Sequence, residues 1–311
     1  VMRLFEEDKE QEAAEMLFAN NPLSAITAIV CPHERNCYGH CVLGKKSQPV
    51  EFFKIEQYLS GKYLREYEPH VIARKDIRLA VVGSGPAGLT MSILMSLKGF
   101  RVTLMDARDK IGGVLRYGIP EFRLPREMIN QFEPILLKLG VQFKPNTFIG
   151  SAITLEDMFI DGYKAVFIAV GTPKPNKLGL LGETLGNVYY AIDYLKSPEA
   201  YRLGKNVVVV GAGNVALDAA RIAVRNIGLG GTVTVINSLP EEEMTGNKNE
   251  VAQAIEEGVR FVHLQQTIKL EEHQVKCVAV KVMKNENGPM YEEDFSCVTE
   301  IPADSIIVAI G

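Results

Sequence analysis

The sequence lacks the features of a membrane or secreted protein. No stretch approaches the roughly 18 consecutive apolar residues that a transmembrane helix needs, and residues 1–7 have no apolar core of the kind found in signal peptides. The net charge is only −4, which provides no strong attraction for nucleic acid or for an anionic membrane. We therefore expect a cytoplasmic globular protein that binds neither nucleic acid nor membrane.

Cysteine is also scarce, with five in 311 residues. Cys31, Cys37 and Cys41 fall within a short N-terminal segment, whereas Cys277 and Cys297 lie far downstream in strand-like sequence. In a reducing compartment a short-spaced group of cysteines indicates metal or redox chemistry more than a disulfide. We expect the two downstream cysteines to be inert packing residues.

Most of the chain alternates strands with helices. Residues 1 to about 70 have a helical pattern, and from Arg78 onwards a strand, a glycine-rich turn and a helix follow one another, a pattern that restarts at Asn206. This repetition predicts an α/β fold with two doubly wound, Rossmann-type dinucleotide-binding domains after a small helical segment. A single helix is predicted over residues 126–139. Near the end, a hairpin is predicted over strands 275–284 and 293–299, with its turn at 285–288.

The first glycine-rich turn has the sequence Gly83, Ser84, Gly85, Pro86, Ala87, Gly88. A diphosphate needs backbone N–H groups and a helix N-terminus aimed at it, with no Cβ in the way. Gly83 would permit the tight turn, Gly85 the approach of the diphosphate and Gly88 the close packing of helix on strand. Asp106 follows at the end of the next strand, where a carboxylate can bind an adenosine ribose. The alternative is a glycine-rich turn without a ligand.

The second turn has the sequence Gly211, Ala212, Gly213, Asn214, Val215, Ala216. The following strand ends at Asn237 and Ser238, where an NAD site usually has a carboxylate and an NADP site usually has a basic residue nearby. Glutamates at 241, 242 and 243 would repel a 2′-phosphate, and we expect Arg221 and Arg225 to point away from the ribose. The alternative is a degenerate Rossmann module without a ligand.

Two such turns in one chain imply two dinucleotides, one nicotinamide cofactor and one flavin. Hydride transfer between them is chemistry that the cofactors supply, so the protein has to position the rings. We therefore expect no catalytic acid–base residue in the main step.

Two segments, residues 111–125 and 211–221, closely resemble the signature sequences of the glutamate synthase small (beta) subunit family. That family includes the N-terminal half of dihydropyrimidine dehydrogenase and the large subunit of bifurcating ferredoxin:NADP oxidoreductase. The resemblance covers essentially the whole chain and implies a nicotinamide domain inserted into an FAD domain. The implied regions are 1–74 (iron–sulfur), 75–171 (FAD), 172–304 (NAD(P)) and 305–311 (return strand to the FAD domain). It also implies a chain truncated at both ends, without the last segment that closes the FAD site.

The resemblance also implies which residues bind the cofactors. For FAD these are the first turn together with Asp106, Ala107, Arg108, Gly112, Gly113, Val114 and Arg123. For NAD(P)H they are Gly211, Ala212, Gly213, Asn214, Val215, Asn237 and Ser238, with Ala309 and Gly311 on the returning crossover. Arg123 would be a charged partner for the FAD phosphates; its alternative is a surface salt bridge.

In the N-terminal segment the resemblance implies that Cys31, Cys37, Cys41 and Glu56 are ligands of [4Fe–4S] clusters. Such clusters normally take four thiolates each, so three cysteines do not complete two of them. We expect the clusters to be incomplete or absent in this chain. One alternative is a zinc site formed by Cys31, His33, Cys37 and His40, and another is simple packing thiols.

The resemblance implies an electron-input subunit that oxidises NAD(P)H, reduces FAD and passes electrons through iron–sulfur clusters. Its partner would be a large (alpha) catalytic subunit or another electron-accepting protein. Two alternatives remain open: a bifurcating or sulfide-linked member of the same family, and a non-catalytic dinucleotide-binding module. Because Asn237 and Ser238 replace the basic pair that the family commonly has, we expect NADH to bind at least as well as NADPH.

Overall fold

The computed structural model describes residues 1–69, 73–285 and 288–310, and the chain divides into two compact units, Val1–Gly171 and Thr172–Gly311. The first unit begins with four helices: α1 (Met2–Glu6), α2 (Glu10–Asn20), α3 (Ser24–Val30) and α4 (Phe52–Glu66). Ala13, Ala14 and Leu17 of α2 pack against Leu59 of α4. None of the helices in the described residues has the length and apolarity needed to cross a bilayer.

A four-stranded parallel sheet completes the first unit, with the strand order β3-β2-β1-β4. Its strands are β1 (Arg78–Val82), β2 (Arg101–Met105), β3 (Gln142–Lys144) and β4 (Tyr163–Ile168). The helices are α5 (Pro86–Leu97), α6 (Val114–Tyr117), α7 (Arg126–Asn130), α8 (Phe132–Lys138) and α9 (Leu155–Ile160). The side chains of β1 and β2 are mostly buried, as expected for a sheet covered on both faces.

The single helix predicted over residues 126–139 is wrong, because the structure has α7 and α8 with a break at Gln131. Pro134 explains the break. It has no N–H with which to bond the carbonyl of Asn130, and proline is tolerated only in the first turn of a helix.

The second unit has a five-stranded parallel sheet in the order β5-β12-β6-β7-β8. These strands are β5 (Val188–Tyr190), β6 (Asn206–Val210), β7 (Thr232–Ile236), β8 (Arg260–Val262) and β12 (Ser305–Val308). Helices α10 (Ala191–Tyr194), α11 (Asn214–Asn226) and α12 (Lys248–Glu256) accompany them. The predicted α/β class with two doubly wound parallel sheets is therefore confirmed.

Strand β12 corrects the predicted domain boundary at 304/305. Ser305–Val308 pairs with β6 on one side and β5 on the other, inside the sheet of the second unit. Assigning residues 305–308 to the FAD domain is wrong, because these four residues are buried and form an interior strand of this sheet. Ala309 and Ile310 follow the strand, and Gly311 lies outside the described residues.

A three-stranded antiparallel sheet covers one face of the second parallel sheet. It consists of β9 (Gln265–Leu270), β10 (Gln274–Asn285) and β11 (Gly288–Pro302), with β10 in the centre. The predicted hairpin is confirmed as the pairing of β10 with β11, whereas the predicted turn at 285–288 includes residues outside the described ones. The mostly polar strand β9 is not predicted from its sequence.

The two downstream cysteines have different environments. Cys277 on β10 is buried in the core between the two sheets of the second unit, as expected of a packing residue. The same expectation for Cys297 is wrong, since its side chain is exposed. The register of β10 with β11 shifts from Val278↔Val298 to Ala279↔Asp294. This shift leaves Cys297 in an irregular part of β11.

Candidate dinucleotide-binding sites

The first candidate site is the turn between β1 and α5, residues 83–88, which we call the first cradle. Gly83 has φ +100°, a conformation that side chains rarely adopt. A Cβ on Gly83 would also overlap the carbonyl oxygen of Ala169, which follows β4. A Cβ on Gly88 would overlap the carbonyl oxygen of Gly83. The turn is therefore so tight that two of its positions admit only glycine.

The middle glycine of the first cradle has a different environment. Gly85 precedes α5 with φ −69° and ψ −172°, which any residue can adopt, and no side chain caps the helix. A Cβ on Gly85 would have no protein atom nearer than Gly113 Cα at 3.9 Å. The protein alone does not require glycine here. The uncapped N-terminus of a 12-residue helix, with open space before it, has the properties of a diphosphate site.

Gly112 and Gly113 lie over this turn. The backbone N–H of Gly112 donates to the carbonyl of Ser84 at 2.9 Å, and a Cβ on Gly113 would lie only 2.7 Å from Gly85 Cα. Buried Arg116 holds the segment in place, because its Nε donates to the carbonyl of Ile111 at 2.6 Å. Val114, which follows, is 59% exposed. The predicted FAD residues 112–114 and the first cradle are thus brought together.

Asp106 is bonded to the turn itself. Its Oδ2 accepts hydrogen bonds from the backbone N–H and the hydroxyl of Ser84, both at 2.6 Å, and its Oδ1 accepts from the backbone N–H of Arg108 at 2.8 Å. A carboxylate has about four lone-pair sites, so capacity remains for one further donor. The carboxylate fixes the turn, and its contact with a ribose stays a prediction.

Three other predicted FAD residues lie near the end of β2 or in the loop before α7. Ala107 and Arg108 are exposed directly after Asp106, and the Arg108 guanidinium lies 5.2 Å from the centre of the Tyr117 ring. Arg123 is half-buried, and its backbone N–H donates to the carbonyl of Pro120. The role of Arg123 as a phosphate partner stays a prediction.

The second candidate site is the turn between β6 and α11, residues 211–216, which we call the second cradle. A Cβ on Gly211, which has φ +149°, would overlap the carbonyl oxygen of Ala309, the residue that follows β12. Gly213 precedes the 13-residue helix α11, which has no side-chain cap. A Cβ there would meet only Thr245 Oγ1 at 3.5 Å, an ordinary contact.

A cavity of about 560 Å³ adjoins the second cradle. It is lined by most of the residues predicted for the nicotinamide cofactor, including Asn214, Val215, Ser238 and Ala309. It is also lined by residues that were not predicted, namely Leu178, Thr245, Gln265, Gln266 and Thr267. This volume lies within the range of small-molecule and cofactor sites.

Thr245 lines this cavity, and the loop that it begins, residues 245–247, makes contacts with the second cradle that sequence reasoning missed. The backbone N–H of Gly246 donates to the carbonyl of Ala212 at 2.9 Å, and the Thr245 hydroxyl donates to the same oxygen at 3.3 Å. The backbone N–H of Asn247 donates to Asn214 Oδ1 at 2.8 Å. These bonds attach the loop before α12 to the second cradle.

Asn237 also lines the cavity, but its side chain is held inside the protein. Its Oδ1 accepts from the backbone N–H of Leu239 at 3.1 Å, and its Nδ2 lies 3.3 Å from His263 Nδ1. Arg221 pairs with Glu250 and Glu257, and Arg225 pairs with Glu257 at 2.8 Å. The prediction that both arginines point away from the ribose position is consistent with these ion pairs.

The cysteine segment provides hydrogen-bond donors for thiolates. Cys41 Sγ accepts from the backbone N–H of Val50 at 3.4 Å, and this bond, followed by those from Leu43 and Gly44, lowers the pKa of the Cys41 thiol. Cys31 Sγ accepts from Asn36 Nδ2 at 3.2 Å, and Cys37 is exposed. Because a thiolate is the metal-binding form of cysteine, Cys41 has the chemistry of a metal ligand.

Glu56 is half-buried on α4, and burial raises the pKa of its carboxyl group. Among the residues that the structure describes, no three His, Cys, Asp or Glu side chains are close enough to hold one metal ion. The four residues of the zinc alternative, Cys31, His33, Cys37 and His40, are thus not gathered around one point in this part of the structure. The roles of Cys31, Cys37, Cys41 and Glu56 as ligands of [4Fe–4S] clusters stay a prediction.

Comparison with family models divides the chain in two. Residues 78–311 match the model described as pyridine nucleotide-disulphide oxidoreductase. Residues 1–67 match the model described as dihydropyrimidine dehydrogenase domain II, 4Fe-4S cluster. The second match covers all three N-terminal cysteines and Glu56.

Several curated proteins are similar over most of the chain. The glutamate synthase [NADPH] small chain of Escherichia coli (strain K12) is 32% identical over 335 aligned positions, which cover 100% of this chain and 70% of the relative. The putative oxidoreductase AegA of the same organism is 32% identical, and the alignment spans 49% of its length. The NADPH-Fe(3+) oxidoreductase subunit beta of Geobacter sulfurreducens is 33% identical, and the alignment spans 38% of that protein.

Solved structures agree in fold. Mycobacterium tuberculosis FprA in complex with NADPH superposes with a TM-score of 0.64 at 17% identity, covering 76% of this chain and 71% of FprA. Thioredoxin reductase of Lactococcus lactis gives a TM-score of 0.56 at 20% identity, covering 76% of this chain and 78% of the reductase. The chain therefore belongs to the pyridine nucleotide-disulphide oxidoreductase family, as an NAD(P)H-dependent flavoprotein homologous to glutamate synthase small chains.

Proposed function

We propose that this chain binds FAD in the first cradle and NAD(P)H in the second, and that it supplies electrons to a large catalytic subunit or another electron-accepting protein. The enzyme would be of the glutamate synthase type (EC 1.4.1.-), a reaction class suggested by the names of its relatives. The proposed FAD region is 75–171, the proposed NAD(P) region is 172–310, and the proposed iron–sulfur region is 1–74.

The observation that carries this proposal is the pair of open glycines, Gly85 and Gly213. At each, a Cβ would have no close protein neighbour, yet each stands before the uncapped N-terminus of a helix of more than ten residues. The protein has room for a side chain at both positions, yet the residue at each is glycine. This indicates that a ligand approaches the backbone there.

When bound, FAD accepts a hydride from a nicotinamide and can release electrons singly to an iron–sulfur centre. The chain's own contribution is to bind and orient. Asp106 fixes the first cradle through Ser84, Gly112 and Gly113 cover it, and residues 245–247 form the edge of the second cradle. Cys31, Cys37, Cys41 and Glu56 are the proposed cluster ligands of this segment, and Cys41 already has donors that favour its thiolate.

The purified chain tests this proposal directly. After incubation with FAD and desalting, we expect a flavin absorption spectrum, which bleaches when NADH or NADPH is added without oxygen. The matched control is Gly85→Ala, which fits the backbone and the available space but places a methyl group where the diphosphate would approach. Its FAD dissociation constant should rise at least roughly tenfold, which corresponds to about 1.4 kcal/mol. The thermal midpoint of the FAD-free variant should equal that of the FAD-free wild type.

Three results would contradict the proposal. If the chain retains no flavin at saturating FAD, the alternative of a non-catalytic dinucleotide-binding module is favoured instead. A bound flavin that neither nicotinamide cofactor reduces would rule out electron input from NAD(P)H. Equal FAD affinity in the Gly85→Ala variant would move the flavin site elsewhere.

A further inference from the structure

We infer that the second cradle selects a dinucleotide whose adenosine ribose has a free 2′-hydroxyl, so that NADH binds in preference to NADPH. This inference rests on the proposed nicotinamide site and adds its specificity. Two of the relatives above are named for NADPH, so this chain would depart from them. The inference depends on four features of the second unit.

The first feature is the lining of the cavity. All the described residues that line it are uncharged, and its polar side chains are the amides and hydroxyls of Asn, Gln, Ser and Thr residues. A 2′-phosphate carries close to two negative charges, and arginine is the residue that binds such a group best. The described residues that line the cavity can therefore make only neutral hydrogen bonds with a 2′-phosphate.

The second feature is the end of β7, where a Rossmann fold places the adenosine ribose. Asn237 is 6% exposed, and its amide is occupied by Leu239 and His263. Ser238, the next residue, is half-buried and lines the cavity. The Ser238 hydroxyl can both donate a hydrogen bond to a ribose hydroxyl and accept one from it. It carries no positive charge that would stabilise a phosphate.

The third feature is the state of the basic residues near this turn. Arg221 of α11 is 4% exposed and paired with two glutamates, and Arg225 is paired with Glu257. Turning Arg221 towards the ribose would break its ion pairs with two half-buried glutamates, which is costly. Turning Arg225 would break its pair with Glu257 and its hydrogen bond to the carbonyl of Arg221. Lys248 begins α12 and is exposed, but it does not line the cavity.

The fourth feature is an acidic turn, Glu241–Glu243, whose three side chains are exposed. It is fixed on both sides. Met244 is buried and Gly246 bonds to the second cradle, while Glu243 accepts a hydrogen bond from Tyr291 of β11. Because this turn begins three residues after Ser238, its charge repels a phosphate placed at the end of β7.

The test is a pair of dissociation constants, measured for NADH and NADPH by the cofactor's fluorescence at two salt concentrations, on the FAD-treated chain whose flavin has first been reduced with dithionite without oxygen so that neither cofactor is consumed. We expect NADH to bind about fivefold more tightly, the effect of about 1 kcal/mol of charge repulsion. NADPH binding should strengthen as salt screens this repulsion. NADPH binding that equals or exceeds NADH binding, or that weakens with salt, overturns the inference.

A charge added at the end of β7 should reverse the preference. In Ser238→Arg, one charge-assisted bond should tighten NADPH binding roughly ten- to hundredfold, whereas NADH binding should weaken because the serine hydroxyl that faces its ribose is lost. Ser197→Arg is the matched control, since Ser197 lies in the same unit, makes no side-chain cap and does not line the cavity. It should leave both constants unchanged. If Ser238→Arg alters neither constant, the ribose lies elsewhere and the inference is wrong.

The same titrations separate this inference from the proposed function. If the wild-type chain binds neither cofactor, the proposed nicotinamide site fails and the specificity fails with it. If it binds both and prefers NADPH, the site stands and only the specificity is wrong.

Discussion

The two cradles have the same framework and differ in how they are completed. In both, a strand leads through a glycine with positive φ into a helix, and that glycine lies against the carbonyl of an alanine after a neighbouring parallel strand, Ala169 or Ala309. The shared part is the backbone arrangement that binds a diphosphate. The differences lie where the rest of a dinucleotide would be recognised.

The strand-end residues show the difference most clearly. Asp106 and Asn237 each accept a hydrogen bond from the backbone N–H two residues later. The second oxygen of Asp106 then reaches Ser84 in the turn, whereas Asn237 turns towards His263. The second cradle has Ala212 where the first has Ser84, so it offers no hydroxyl for such a contact. A carboxylate ties the first turn to the end of β2, whereas the second turn is bonded to the loop at residues 245–247.

The last position of the turn, which is Gly88 in the first cradle and Ala216 in the second, should give the largest difference between the cradles. In Gly88→Ala the new methyl group would overlap the carbonyl of Gly83, so α5 must move away from the sheet. We expect a loss of about 3 kcal/mol in the free energy of unfolding, together with loss of FAD binding. The reciprocal change, Ala216→Gly, should cost about 1 kcal/mol, from backbone entropy and a lost methyl contact.

Urea denaturation of the two variants, followed by circular dichroism, measures both changes. If Gly88→Ala proves no more costly than Ala216→Gly, then α5 and β1 are not packed as closely as the structure has them. The presence of glycine at 88 and alanine at 216 would then make no difference to the free energy of unfolding.

A smaller asymmetry should follow from exchanging the strand-end residues. Asp106→Asn places an amide group among three N–H or O–H donors, so at least one donor loses its acceptor, at a cost of about 2 kcal/mol. Asn237→Asp keeps the bond from Leu239 and faces His263, whose ring nitrogen can donate in the other tautomer. We expect that change to cost less than about 1 kcal/mol.

The control for the first exchange is Ser84→Ala, which retains the carboxylate and two of its three donors. It should cost about 1 kcal/mol, and its FAD affinity should lie between those of the wild type and Asp106→Asn. Thermal midpoints and FAD titrations of the three variants provide the ranking. Equal effects of Asp106→Asn and Asn237→Asp would mean that the carboxylate does not fix the first turn.

The sequence was sufficient for those parts of the site that are local. A strand, a glycine turn and a helix within about 20 residues define each cradle, and the approximate bounds of β1, α5, β6 and α11 follow from that pattern. The position of Asp106 at the end of β2 also follows from it. Its bond to Ser84 could not be predicted, because it depends on the spacing of β1 and β2 across the sheet.

The parts that sequence reasoning missed are brought together over long distances in the chain. Residues 245–247 are bonded to the second cradle from a distant part of the chain. Residues 265–267 of the polar strand β9, which has no apolar pattern, line the adjoining cavity because of the strand order. Strand β12 was placed in the wrong domain because its apolar sequence before Ala309 and Gly311 is like that of β4 before Ala169 and Gly171. Only the pairing with β5 and β6 distinguishes the two cases.

The two cradles should bind different cofactors, and one set of titrations can show whether they do. FAD and NADH dissociation constants are measured for the wild-type chain, Gly85→Ala and Gly213→Ala, two variants whose new methyl groups make only ordinary contacts with the protein. We expect Gly85→Ala to weaken FAD binding at least roughly tenfold and to leave NADH binding unchanged, and Gly213→Ala to weaken NADH binding by a similar factor and to leave FAD binding unchanged. Loss of NADH binding in Gly85→Ala with retained FAD, or loss of both cofactors in either folded variant, would contradict this expectation.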